Sequence, residues 1–310
     1  MAEEPDAAPA VPTSPAPYDR RVDPLTGEAA VIVAKRQARP NLGEGVHTDA
    51  AVTCPFCPGG VEAPEDYDVK AFTNRWPSIS DGRCEVVLYT SDHDASFASL
   101  GVDGARKVVD LWAERTAALG GRHDVAYVLV FENRGPEVGA TIPHPHGQIY
   151  AFPEVPPAPL HELEGAACAL CGVDPGPRLV RAVDGWRSWV PDAATWPYAL
   201  LVAPDAHEPD LPGLRDAGRT GLAEALVDAL GRLDALFDAP MPYMLWFHQR
   251  PTDGGDWPTA HLHVHVAPLY RSPGTQRYVA AGELGSGMFF NPVDPGDAAA
   301  ALRDAGGGRQ

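Results

Sequence analysis

The chain lacks any apolar run that approaches the roughly 20 residues of a membrane-spanning helix. Residues 1–18 are acidic and rich in alanine and proline, and they have neither the basic start nor the apolar centre of a secretory signal. We predict that they form a disordered tail. The sequence therefore favours a cytoplasmic protein that does not act at a membrane, in which cysteines stay reduced and available to a metal.

Basic residues are scarce as well. The chain has 24 Lys and Arg against 42 Asp and Glu, a formal net charge of −18, which argues against nucleic acid as a partner. No glycine-rich phosphate loop of the P-loop or dinucleotide type is present. A small phosphorylated ligand is still compatible with this charge, because single arginines bind phosphate through bidentate hydrogen bonds. The candidates are Arg36, Arg39, Arg271 and Arg277, although each also fits a solvated surface position.

Cysteine is the third scarce residue, and its placement is informative. Four of the five cysteines form two CxxC pairs, Cys54–Cys57 and Cys168–Cys171. The step from Cys57 to His93 is 93 − 57 = 36 residues, and the step from Cys171 to His207 is 207 − 171 = 36 residues. Alternating histidines follow in both cases, at 144 and 146 and at 261, 263 and 265.

The hydrophobic pattern repeats along with the cysteines and histidines. Each copy runs strand, strand, helix, strand and His-rich strand, with amphipathic helices predicted over 104–119 and 214–237. An internal duplication explains the whole pattern with one assumption. Proline-rich residues 151–159 are predicted to link the copies.

Two cysteines and two histidines per copy suit a tetrahedral zinc site. The first set is Cys54, Cys57, His93 and His144, and the second is Cys168, Cys171, His207 and His261. A redox pair or a disulfide is the alternative for a CxxC motif, but Pro55, Pro58, Gly59 and Gly60 do not suit the helix start that a redox pair normally occupies. A rival metal set in the second copy is Glu162, His248, His263 and His265.

The stretch from His144 to Gln148 reads His-Pro-His-Gly-Gln. In an extended strand, His144, His146 and Gln148 would project from one face. Two imidazoles and an amide on one surface suit attack on a phosphate, because a neutral histidine is a nucleophile near pH 7. A polar strand edge with a surface histidine pair is the simpler interpretation.

Three segments carry a resemblance to a known family: 131–148, 20–40 and 282–292. With these motifs, the chain resembles the galactose-1-phosphate uridylyltransferase family of the histidine-triad (HIT) superfamily over roughly residues 19–303. The resemblance implies an α+β fold of tandem duplicated HIT-like units, with antiparallel sheets flanked by helices. The N-terminal unit at 19–160 would carry the nucleophile, and 161–305 would form the C-terminal unit. Homodimers are usual in the family.

The resemblance also implies roles for particular residues. His146 would be the nucleophile, Gln148 would hydrogen-bond the phosphoryl oxygens, and Asn133 would contact the nucleotide. Arg36 and Arg39 would contact phosphate, while Glu283 and its neighbours, including Arg277, fall in the stretch that binds the hexose. Two zinc ions would be structural, because four protein ligands leave no open position.

The implied reaction is the transfer of UMP from UDP-glucose to galactose-1-phosphate through a uridylyl-histidine. An adenylyl-sugar phosphorylase or adenylyltransferase of the same superfamily is the first alternative, a HIT-type nucleotide hydrolase the second, and a non-enzymatic zinc module the third. Ala140 and Ile142 depart from members that have cysteine and a polar residue there, which bears on substrate acceptance.

Overall fold

The computed structural model describes residues 18–33 and 54–307. Five α-helices are present in this part of the chain: α1 Gly101–Gly120, α2 Pro157–Leu163, α3 Asp216–Leu236, α4 Ala281–Ser286 and α5 Pro295–Gly306. The strands are β1 Asp19–Val22, β2 Ala29–Ile32, β3 Lys70–Thr73, β4 Cys84–Leu88, β5 Tyr127–Arg134, β6 His146–Phe152, β7 Leu179–Val183, β8 Trp186–Trp189, β9 Leu200–Pro204, β10 Tyr243–His248, β11 His263–Pro268, β12 Tyr270–Ser272 and β13 Thr275–Gln276. No helix in these residues is long and apolar enough to cross a membrane.

A nine-stranded antiparallel sheet dominates the fold, in the order β3-β4-β6-β5-β10-β11-β9-β8-β7. Its first half has the order β3-β4-β6-β5 from the outer edge inwards. The second half, also from its outer edge inwards, has the extra strand β7 and then the matching order β8-β9-β11-β10. The predicted duplication and the α+β class are therefore confirmed in the strand order. The two copies meet where β5 pairs with β10, with Glu132 opposite Leu245, so they share one continuous sheet.

Helices α1 and α3 cover one face of the sheet and contact each other. The predicted stripe of leucines in α3 is buried, as Leu222, Leu226, Leu230 and Leu233 are all inaccessible to solvent. In α1 the indole of Trp112 stacks on Phe97 and meets Tyr89 and Phe247 edge-on. The helix-facing side is therefore an ordinary apolar core.

The opposite face of the first half is only partly covered. Val86 and Leu88 of β4 pack there against Phe56, which follows the first cysteine. In register, Val86 lies beside Gln148 and Leu88 beside His146. Because side chains alternate along a strand, His146 and Gln148 face this side while Gly147 faces the core.

Two boundaries differ from the sequence prediction. The link between the copies is shorter than 151–159, because Ala151 and Phe152 complete β6 and α2 begins at Pro157. Proline is tolerated in the first turn of a helix, where its missing N–H would have no partner. Strand β6 also begins at His146 and excludes His144.

Candidate active site and metal clusters

The first Cys/His cluster consists of Cys54, Cys57, His93 and His144, whose ligand atoms all lie within 4.8 Å of one another. The Cys57 sulfur is 3.4 Å from His93 Nδ1 and 3.6 Å from His144 Nδ1, and the Cys54 sulfur is 3.9 Å from His144 Nδ1. Tetrahedral zinc with ordinary bond lengths would place sulfur and nitrogen ligands about 3.5 Å apart. The donor set and its spacing therefore fit zinc.

The surroundings of His144 prepare it as a ligand. Its Nε2 donates to the Thr90 carbonyl at 2.8 Å, which leaves the lone pair on Nδ1, the atom that faces the cysteines. Burial lowers the pKa of His144 and so favours the neutral ring that binds metal. Tyr67, whose hydroxyl lies 2.8 Å from Nε2 and donates to the Phe56 carbonyl, closes the far side. An outer partner of this kind orients most metal-binding histidines.

The second Cys/His cluster, Cys168, Cys171, His207 and His261, repeats this geometry. The Cys171 sulfur is 3.1 Å from His207 Nδ1 and 3.6 Å from His261 Nδ1. His261 Nε2 donates to the Pro204 carbonyl at 3.1 Å, as His144 does to Thr90. The repeat in the sequence is thus a repeat in the site geometry, down to the carbonyl that sets the histidine tautomer.

The rival set of the second copy is also assembled. We call Glu162, His248, His263 and His265 the Glu/His cluster; their ligand atoms likewise lie within 4.8 Å of one another. Burial alone would raise the pKa of Glu162, but hydrogen bonds from the three histidines outweigh it and hold that pKa far below its ordinary value. The two sets share no residue, so the second copy presents both and they are not alternatives.

His146 lies at the start of β6 and its Nδ1 is 2.7 Å from the carbonyl oxygen of His144. A carbonyl only accepts hydrogen bonds, so Nδ1 carries the proton and Nε2 carries the lone pair. The expectation that His144, His146 and Gln148 project together is wrong for His144, which is 1% exposed and turned towards the cysteines. His144 and the candidate nucleophile His146 therefore face different sides, although only one residue lies between them.

Gln148 shares the face of His146, and both side chains line a cavity of about 220 Å³. Phe56, Phe72 and Trp76 give it an aromatic wall, and Glu62 and Arg75 line it as well. The Asn74 amide donates to Gln148 Oε1 at 3.4 Å. Asn74 was missed in the sequence, although a polar residue directly after the strand Lys70–Thr73 was a usable signal.

A second cavity, of about 550 Å³, meets the first at His146. It is lined by the loop of residues 135–145 and by Asn133 of β5. His146 therefore stands between an aromatic pocket and a wider one. Two cavities that meet at one histidine can hold different parts of a ligand on either side of it.

The second copy contains a histidine, His263, that is equivalent in position to His146. His263 Nδ1 lies 2.7 Å from the His261 carbonyl, as His146 Nδ1 does from that of His144. Its Nε2, however, is 3.2 Å from Glu162 Oε2 and 3.0 Å from His265 Nε2. The nitrogen that would attack a phosphate is thus engaged within the Glu/His cluster.

The remaining candidates for substrate contacts are placed differently. Asn133 lines the wider cavity beside His146. Arg277 and Glu283 are 5% and 6% exposed and form an ion pair with each other at 2.5 Å, and the Arg277 guanidinium lies 4.6 Å from the Trp196 ring centre. Arg36 and Arg39 lie outside the described residues.

Comparisons with known proteins agree over most of the chain. The family profile "Galactose-1-phosphate uridyl transferase, N-terminal domain" matches residues 78–156, and the corresponding C-terminal domain matches residues 173–282. The galactose-1-phosphate uridylyltransferase of Thermotoga maritima is 34% identical, covering 92% of this chain and 97% of its own. That of Streptomyces lividans is 40% identical, covering 74% and 70%.

A solved uridylyltransferase structure superposes with a TM-score of 0.82 at 29% identity, covering 93% of this chain and 98% of its own. Both profiles fall in family order, one on each copy of the duplication. The chain therefore belongs to the galactose-1-phosphate uridylyltransferase family.

Proposed function

We propose that the protein transfers a uridylyl group from UDP-glucose to galactose-1-phosphate. The observation that carries the proposal is the hydrogen bond from His146 Nδ1 to the His144 carbonyl, which leaves a lone pair on Nε2. The names of relatives in bacteria, fungi and animals support the same reaction.

The reaction takes two displacements at one phosphorus. His146 Nε2 attacks the α-phosphorus of UDP-glucose, the bond to the bridging oxygen breaks, and glucose-1-phosphate leaves with that electron pair. A phosphate oxygen of galactose-1-phosphate then attacks the uridylyl-histidine, and the bond to Nε2 breaks to give UDP-galactose. Both the leaving and the attacking groups are phosphates, so little proton transfer is needed. The protein's task is to orient His146 and to stabilise the phosphoryl oxygens.

Side chains near His146 suggest how the substrate is divided. The aromatic pocket of Phe56, Phe72 and Trp76 suits the uracil ring, and Gln148 suits a phosphoryl oxygen. The wider cavity, with Asn133 on its wall, suits the rest of the nucleotide and the sugar phosphate. Contacts from Arg36 and Arg39 to phosphate and from Arg277 and Glu283 to the hexose remain predictions from the family resemblance.

Zinc is proposed for both Cys/His clusters, as a structural ion in each. Four protein ligands would fill the coordination sphere, so the ion would stabilise the loops around it without meeting substrate. In the first cluster this fixes His144, and the carbonyl of the same residue holds His146. The Glu/His cluster offers one carboxylate and three imidazoles and is a third candidate site.

A homodimer in the cytoplasm completes the proposal. Support for the dimer comes from exposed apolar side chains near the C-terminal end: Tyr278, Leu284, Met288, Phe289 and Phe290. The division into units at 19–160 and 161–305 stays a prediction, which the two family matches support.

The test is the intact mass of the purified protein after incubation with UDP-glucose. We expect the mass to rise by one uridylyl group on His146, and to return to its starting value when galactose-1-phosphate is added. His146→Gly should form no adduct and keep the zinc content of the parent, while His161→Gln, in which an exposed histidine is changed, should behave like the parent.

Other results would support the alternatives. An adduct formed only from ADP-glucose would move the protein to the adenylyl branch. Free UMP without an adduct would indicate a hydrolase. The alternating histidines at 261, 263 and 265, a pattern that resembles the histidine triad of the hydrolases, favour this reading. His263 Nε2, however, is engaged by Glu162 and His265.

A further inference from the structure

A buried hydrogen-bonded group lies on the core side of the sheet, opposite the face that carries His146. The Tyr89 hydroxyl donates to Glu132 Oε2 at 3.2 Å, and the Tyr243 hydroxyl donates to Glu132 Oε1 at 2.8 Å. These side chains, which we call the tyrosine–glutamate group, are 1%, 4% and 0% exposed. Tyr89 directly follows β4, Glu132 lies on β5 and Tyr243 lies on β10, so the group spans both halves of the sheet.

The group touches the catalytic strand at Gly147. A Cβ atom added there would lie 2.2 Å from the Tyr89 hydroxyl oxygen and 3.1 Å from the Phe131 carbonyl oxygen. The hydroxyl therefore occupies the space where any other residue would place its side chain. Gly147 lies between His146 and Gln148, so this contact supports β6 directly beneath the two residues proposed to meet the phosphate.

The backbone beside Tyr89 holds the same segment. Tyr89 N donates to the Pro145 carbonyl at 3.3 Å, and Thr90 accepts the hydrogen bond from His144 Nε2. Side chain and backbone of one short segment thus fix residues 144–147 from two directions. No atom fits between Tyr89 and Gly147, so a displacement of the phenol ring towards Gly147 must displace β6.

We infer that the tyrosine–glutamate group is a positioning element for uridylyl transfer. It fixes how far β6 lies from the core, and hence the position of His146 Nε2 relative to the phosphorus. The inference rests on the proposed function. Glu132 holds the Tyr89 hydroxyl in place, and Tyr243 holds Glu132 from the second half. The second half, in which Glu162 engages His263, the counterpart of His146, thereby contributes to the active site of the first.

Charged neighbours complete the environment of Glu132. The Arg134 guanidinium lies over the Tyr243 ring at 5.7 Å and pairs with Asp234 of α3 at 2.6 Å. These groups keep the carboxyl of Glu132 surrounded by protein, with the two tyrosine hydroxyls as its hydrogen-bond donors.

The first test measures the rate of adduct formation at saturating UDP-glucose together with the Kd for UDP-glucose. Tyr89→Phe and Tyr243→Phe should slow adduct formation about tenfold to a hundredfold, because errors of an ångström or less in a reacting atom cost rates of this order. The Kd should change less than about twofold if ground-state contacts are untouched. Tyr127→Phe is the matched control: Tyr127 is equally buried and its hydroxyl accepts from Gln249 N. Its neighbour on β6 is Phe152, at the opposite end of that strand from His146.

The second test is a double-mutant cycle between Gly147 and Tyr89. Gly147→Ala should abolish adduct formation because its methyl group would overlap the Tyr89 hydroxyl, and the loss should be smaller in the Tyr89→Phe background. The same non-additivity should appear in the unfolding midpoint, which needs no substrate. Equal losses in both backgrounds, in rate and in midpoint, would overturn the inference.

Failure of the proposed function would look different. If another nucleotide donor labels His146, the cycle is measured with that donor and the positioning role is still tested. If UDP-glucose labels His146 at the parental rate in Tyr89→Phe and Tyr243→Phe, the positioning role is wrong and the transferase assignment stands.

Discussion

Replacement of Glu132 by glutamine should change how the stability of the protein depends on pH. Burial raises the pKa of Glu132 from 4.5 to about 7, and the hydrogen bond from Tyr243 and the charge of Arg134 only partly oppose it. Between pH 4.5 and 7 the folded protein therefore keeps a proton that the unfolded chain has released. The free energy of unfolding falls as pH rises through this window and levels off above it.

The size of the effect follows from the shift. The rise of the pKa from 4.5 to about 7, at about 1.4 kcal/mol for each pH unit, corresponds to roughly 3.5 kcal/mol. Most of this should be lost between pH 5 and pH 8. Glutamine has nearly the same shape and no charge, so Glu132→Gln should lack this term. The difference in unfolding free energy between parent and variant should shift by about 2 to 3 kcal/mol over that range, in favour of the variant at high pH.

Urea unfolding at several pH values between 5 and 8, with zinc held constant, measures this difference. Glu65→Gln, at an exposed carboxylate, controls for the loss of one negative charge. Parallel pH curves for the parent and Glu132→Gln would refute the reasoning, because they would mean that the buried carboxyl releases its proton at the same pH in the folded and unfolded chain.

Three further predictions concern packing and metal. Gly221→Ala should destabilise the protein by about 1–3 kcal/mol, because the added Cβ would lie 2.6 Å from the Trp186 ring, whereas Gly282→Ala has open space and should be neutral in urea unfolding. Trp112→Ala should cost about 3–5 kcal/mol in the same assay, because the indole is fully buried. Cys171→Ser should remove one equivalent of zinc by elemental analysis and leave the first Cys/His cluster loaded; loss of all metal would contradict independent sites.

The sequence predicted those parts of the site in which residues recur at a regular spacing. Equal steps of 36 residues from Cys57 to His93 and from Cys171 to His207 predicted both Cys/His clusters, and the structure brings the four side chains of each set together. The helical stripes were predicted for a similar reason: burial on one face imposes a period that any single copy displays.

The relation between the copies was beyond the sequence pattern. The apolar pattern of β5 and β10 does not indicate that these strands pair, because pairing between distant strands depends on how both copies pack and not on the local sequence. For the same reason the tyrosine–glutamate group escaped notice, although Glu132 alternates with Val128 and Val130, which is typical of a core-facing position. A carboxylate in that register was the signal for a buried partner.

The presence of both metal sets in the second copy was also missed, for a physical reason. The sequence shows how many potential metal ligands are present, but it does not show towards which cluster each side chain points. His261 and His263 are two residues apart, yet one turns to the cysteines and the other to Glu162. His144 and His146 likewise face different sides, although only one residue lies between them.

The pairing of β5 with β10 determines what would happen if the chain were divided between the two copies. In the described structure each of these strands is flanked on both sides, so neither presents unpaired backbone. Cutting the chain between the copies would turn both into edge strands, and β5 carries the apolar run Tyr127–Phe131. Exposed apolar edges recruit other strands. Fragments 19–160 and 161–305 should therefore aggregate when made alone and recover a soluble pair when produced together, each acting as the other's missing strand.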